Sequence, residues 1–74
     1  MKITATIERN DNGYYQISSR DEIMGHCLGG YGYSETEAKA DFIKSIDEVR
    51  EMIAADGLTV PTDAAHVEVE FRYA

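Results

Sequence analysis

The sequence predicts an α+β fold of order β-β-β-α-β, a four-stranded, mainly antiparallel sheet with one helix across one face. Three observations predict it. Apolar and polar residues alternate near both ends of the chain, over residues 2–8 and 66–73, as they do in half-buried strands. A hairpin signature, Asn10-Asp11-Asn12-Gly13, follows the first of these runs. A helix-period apolar stripe then begins at Ser34-Glu35-Thr36-Glu37, which has capping-box spacing.

In the first strand Ile3, Ala5 and Ile7 share one face, with Thr4, Thr6 and Glu8 on the other. After the turn, residues 14–18 resume strand composition, placing Tyr15 and Ile17 on one side and Tyr14, Gln16 and Ser18 on the other. Residues 19–25 are polar and acidic and read as a loop, with Ile23 and Met24 as partial anchors. Residues 27–33 carry three glycines, which weaken a strand but permit bulges and the close approach of another backbone, so an irregular third strand is expected. Ala38, Phe42, Ile46, Val49 and Ile53 form the buried stripe of a helix over residues 35–56, widened by Ile43 and Met52 and stopped by Gly57. Residues 58–65, with Pro61, are a connection, and Val67, Val69, Phe71 and Tyr73 alternate in the last strand. Strand directions then make the fourth strand parallel to the first and adjacent to it, in spatial order 3-2-1-4.

Seventy-four residues leave room for one domain, residues 1–74, with a core too small for a wide margin of stability. Self-association through an exposed sheet edge is therefore expected, as a homodimer or higher homo-oligomer. A lone cysteine, Cys27, excludes an internal disulfide and fits a reducing, cytoplasmic setting. No stretch has the apolar length of a signal peptide or a membrane span, so a soluble protein without membrane contact is expected. Fourteen Asp and Glu against seven Lys and Arg give a net charge of −7, which disfavours direct nucleic-acid binding and favours a basic partner.

Catalytic chemistry finds little support. Asp21, Glu22, His26, Cys27 and the distant His66 are the conceivable metal ligands, but adjacent His26 and Cys27 point to opposite faces of a strand. Cys27 reads as a buried structural thiol. Gly29-Gly30-Tyr31-Gly32 precedes a helix without a phosphate-loop signature, and Glu35 and Glu37 repel phosphate there. Tyr14, Tyr15, Tyr31, Tyr33 and Tyr73 read mainly as core and edge packing rather than a base-stacking platform. The element order is also similar to the opening of ribonuclease-H-like folds, yet the first strand offers only Glu8, at its far end. No catalytic residue, metal or cofactor is assigned, and no enzymatic activity is expected.

Two stretches carry a family resemblance. Ile7-Glu8, a short polar turn and Gly13-Tyr14-Tyr15-Gln16-Ile17 form the first, and residues 30–42, Gly-Tyr-Gly-Tyr-Ser-Glu-Thr-Glu-Ala-Lys-Ala-Asp-Phe, form the second. Over residues 3–56 the chain resembles the N-terminal domain of HicB-family antitoxins. It departs from that pattern at Met24-Gly25-His26-Cys27, where a Pro-Gly-Cys-like turn is common, and at Tyr33, where Asp or Asn is common. The resemblance implies a protein-binding module that neutralises a small, basic, mRNA-cleaving toxin of the HicA type by masking it. The resemblance does not extend to the DNA-binding segment often attached to such antitoxins, and operator binding is not expected. The candidate partner-binding residues are Asp21, Glu22, His26 and the outward helix residues Glu37, Glu48 and Glu51. The alternative is a stand-alone homo-oligomeric module with a different partner or ligand.

Overall fold

The computed structural model describes residues 1–74. Its elements are β1 (Lys2–Arg9), β2 (Tyr15–Ile23), β3 (His26–Gly32), α1 (Glu35–Ala55), α2 (Thr62–Ala65) and β4 (Glu68–Tyr73). The strands form one sheet in the order β3-β2-β1-β4, antiparallel except for the parallel β1–β4 pair, as the sequence predicts. The alternating residues Ile3, Ala5 and Ile7 of β1 and Ile17 of β2 are buried under the helix. They meet Ala38, Phe42, Ile46, Val49 and Ile53, the stripe that the helical period brings to one side of α1. Full burial of each large aliphatic or aromatic side chain there contributes roughly 1.5–3 kcal/mol.

The ends of α1 follow from local chemistry. Ser34 has extended backbone, and its Oγ accepts the Glu37 amide at 3.1 Å. The Glu37 carboxylate reaches one residue further back than a capping box requires and accepts the Tyr33 amide, at 3.1 Å, rather than that of Ser34. At the other end Gly57 adopts φ +78°, and the amides of Gly57 and Leu58 close back onto the carbonyls of Ala54 and Ile53 in a Schellman motif.

Four expectations are corrected. Residues 19–23 belong to β2, not to a loop, because a bulge between Ser18 and Glu22 takes up their polar run. There Asp21 accepts the Thr4 amide on its carboxylate at 3.0 Å and donates its own amide to Ser19 Oγ at 3.0 Å, replacing ladder bonds. Ile23 is fully buried, and Met24 and Gly25, both at positive φ, make the two-residue turn into β3. Second, the irregularity expected of the third strand does occur in the β2–β3 ladder but falls on β2, at that bulge, while β3 pairs in register from Gly29 to Gly32. Its glycines serve the close approach of another backbone, since a Cβ on Gly30 would collide with the Phe42 nitrogen and lie 2.7 Å from the Phe42 Cα and 2.8 Å from the Ala38 oxygen. Third, Ile43 and Met52 do not widen the buried stripe but are exposed. Fourth, the connection contains a one-turn helix, α2, which buries Ala64 and whose last carbonyls accept from the Arg50 guanidinium. No helix is long and apolar enough to cross a membrane.

Candidate functional site

Side chains alternate along β3, and its glycines Gly30 and Gly32 must face α1 because the helix backbone leaves no space for a Cβ there. Tyr31 is thereby placed on the open face of the sheet. Its amide donates to the Asp41 carboxylate at 3.0 Å, and that of Tyr33 donates to Glu37, so the helix fixes the backbone of both tyrosines. Tyr14 comes from just before the neighbouring strand β2, on the same face as Gln16, positioned by the turn at Gly13 (φ +86°) and the bond from the Asn10 amide to the Tyr14 carbonyl.

These three rings cluster edge to face. Tyr14 lies 6.5 Å from Tyr31 at 61° and 6.3 Å from Tyr33 at 75°. With Gln16 and Gly32 they line an open recess of about 380 Å³. Tyr31 is 70% and Tyr33 80% exposed, against the expectation that packing accounts for such rings. A second recess, of about 440 Å³, shares Tyr31 and is lined by Glu37, Ala40, Asp41 and Lys44. Tyr31 therefore stands between an aromatic and a largely acidic hollow. The chain's own cations stack on other rings, Arg9 on Tyr15 and Lys39 on Phe71, and not on the three clustered tyrosines. Such an arrangement attracts a cationic side chain, because aromatic faces and carboxylates both present negative potential.

The six residues expected to bind a partner do not form one patch. Only Glu37 adjoins the tyrosines. Since α1 runs antiparallel to β3, Asp21, Glu22 and His26 lie at the opposite end of the β2–β3 hairpin, near the second half of the helix. Glu48 and Glu51 are exposed on that half, on the same helix face as Glu37 but about 17–21 Å further along it. Asp21 is committed to the bulge and Glu37 to the helix start, which makes both structural as well as acidic. Glu48 pairs loosely with Lys44 at 3.9 Å, while Glu22 is exposed and opposite Cys27 across the strands.

Cys27 is exposed rather than a buried thiol, because alternation along β3 puts it on the open face with Tyr31 while Leu28 and Gly30 face the core, and Glu22 lies opposite it. No three His, Cys, Asp or Glu side chains converge. Sequence pattern alone points these tyrosines to packing, and the one signal to the contrary is Tyr31 between two helix-facing glycines, which marks the open face. Comparison with protein-family models, curated proteins and solved structures finds no match.

Proposed function

We propose that this chain is a protein-binding module of the HicB antitoxin type, acting without turnover, which masks a small, basic, mRNA-cleaving toxin of the HicA kind. The observation that carries this reading is an exposed three-tyrosine recess beside Glu37 and Asp41 in a chain of net charge −7. A basic partner gains long-range attraction from the net charge and short-range cation–π contact from the rings, the first acting on association rate and the second on residence. The fold order and the resemblance over residues 3–56 supply the class of partner. On this reading the module is also homo-oligomeric, since its single core is small.

The first test is whether a basic protein of roughly 60–90 residues is encoded beside this chain, its absence favouring a stand-alone module instead, and the second is binding to that protein. Tyr31→Ala and Tyr33→Ala are expected to weaken binding about tenfold or more while leaving stability within about 0.5 kcal/mol, because both rings are exposed. Glu48→Lys is expected to slow association, with the difference fading as salt shortens the Debye length from about 10 Å at 0.1 M to about 3 Å at 1 M. Affinity unchanged in both tyrosine variants sinks the site. RNA cleavage by the purified chain alone sinks the binding-only reading.

A further inference from the structure

The outer edge of β4 carries a self-complementary pattern. The amides of Glu68 and Ala74 donate to the carbonyls of Met1 and Ile7, at 2.9 and 3.0 Å, so the even-numbered positions of this segment turn their backbone toward β1. Backbone groups alternate along a strand, so Val69, Phe71 and Tyr73 present theirs outward. Nothing in the chain covers them. The helix backbone approaches β3 and β2 and reaches β4 only through side chains, Phe42 and Lys39 on Phe71 and Glu35 on Tyr73, leaving Val69 and Phe71 half-buried and Tyr73 67% exposed. Ile43, one helical turn after the Lys39 that sits on Phe71, adds an apolar side chain that is 43% exposed.

We propose that two copies of this chain pair antiparallel through β4, about a two-fold axis at Phe71, joining their sheets into one. This deepens the homo-oligomeric part of the proposed function and is independent of the partner's identity. The register follows from elimination. Only outward-facing positions can exchange backbone hydrogen bonds, so odd positions must oppose odd ones. An axis at Val69 sets Glu68 against Glu70 of the other copy, axes at Glu68 and Glu70 each set a glutamate against itself, an axis at Arg72 opposes two arginines, and an axis at Tyr73, the strand's last residue, overlaps little beyond Arg72 with Ala74. Like charges directly opposed destabilise a pair of strands. An axis at Phe71 opposes Glu70 with Arg72 twice and Val69 with Tyr73 twice, and brings the two Phe71 residues together. Each outward pair exchanges two backbone bonds, and the Glu70–Arg72 pairs fall at the closer, non-hydrogen-bonded positions, where side chains interact most. Arg72 already reaches Glu70 of its own chain at 3.2 Å, so both side chains lie along this edge.

The experiment is sedimentation of the full chain from about 1 to 100 μM, with Glu70→Arg, Arg72→Glu and the double swap, the fold of each checked by circular dichroism. Each single change is expected to raise the dimer dissociation constant about tenfold or more, since it replaces two attractive pairs by two repulsive ones. The double swap is expected to return it to within about threefold of the wild type, because only this register exchanges the pair's members. In a Cys27→Ser background, Glu70→Cys with Arg72→Cys is expected to give an oxidised dimer, the opposed Cα atoms lying within disulfide reach. A dimer that neither single change weakens overturns the β4 register while leaving self-association standing. A monomer at 100 μM overturns self-association itself, and with it this inference, without touching the tyrosine site.

Discussion

Strands β3 and β4 both end the sheet, but they meet solvent in opposite ways. Along β3 the outward amides of Gly29, Tyr31 and Tyr33 donate to Ser45, Asp41 and Glu37 of α1, at 3.4, 3.0 and 3.1 Å. The match is one of periods. Two residues of strand advance about 6.7 Å and four residues of helix about 6 Å, so side chains at every fourth helical position meet every second amide of the strand. Along β4 the outward groups of Val69, Phe71 and Tyr73 meet no other element. An unpaired edge is a template for association. The closed edge ties the backbone of Tyr31 and Tyr33 to α1, and the open one is the edge on which the proposed pairing rests.

Phe42 serves both edges, because its backbone abuts Gly30 of β3 while its ring lies 6.0 Å from that of Phe71 in β4. Phe42→Ala is expected to be the most damaging change, costing about 3–5 kcal/mol by denaturant unfolding. A 74-residue domain has a total stability of roughly 4–11 kcal/mol, so this variant sits close to unfolding. A loss below about 1 kcal/mol removes Phe42 from the centre of the core. Gly30→Ala isolates the closed edge, since the new methyl meets helix backbone that cannot rotate away. A cost of about 1–3 kcal/mol is expected, with loosened protection of the Tyr31 and Tyr33 amides in hydrogen exchange. Stability equal to the wild type shows that the helix stands further off β3.

Asp41→Ala removes one acceptor from the closed edge. The amide it leaves is near solvent, so the expected cost is only about 1 kcal/mol. Its larger value is diagnostic. Faster exchange of the Tyr31 amide with Val69 and Phe71 amides unaffected assigns the seal to helix side chains. Uniformly faster exchange at both edges shows instead that the variant loosens the whole sheet.

Much of this was legible in the sequence. Capping-box spacing and the apolar period located α1 and its five buried residues, and strict alternation located β1 and β4. What escaped was set by contacts between distant residues. Asp21 reads as a loop residue until its carboxylate is seen to receive the Thr4 amide across the bulge. Met24-Gly25 makes a two-residue turn without the usual Asn-Gly pair, so nothing local announced that β2 runs on to Ile23. Glu37 and Asp41 look like surface acids of an amphipathic helix, and their role as edge acceptors depends on how α1 lies over β3. The tyrosine recess assembles Tyr14 with Tyr31 and Tyr33 across two strands, a proximity that no spacing along the chain reveals.

The smallest expected effect concerns the one hydrogen bond that ties α1 to the open edge, from the Tyr73 hydroxyl to the Glu35 carboxylate at 2.7 Å. Donation to Glu35, and then the charge of that carboxylate, hold the Tyr73 phenol above its ordinary value, because ionising it breaks the bond and sets two anions together. A raised folded-state value means that the neutral form is favoured by folding. The contribution is therefore fully present below the unfolded value of about 10 and is lost as pH rises through the folded one. Tyr73→Phe removes both the bond and the titration. Urea midpoints measured between pH 8 and 11, at concentrations low enough to keep the chain monomeric, are expected to show a small deficit for the variant at pH 8 that narrows above pH 10. A gap that stays constant or widens with pH shows that Tyr73 and Glu35 do not share a proton in solution, and the open edge then has no polar tie to the helix.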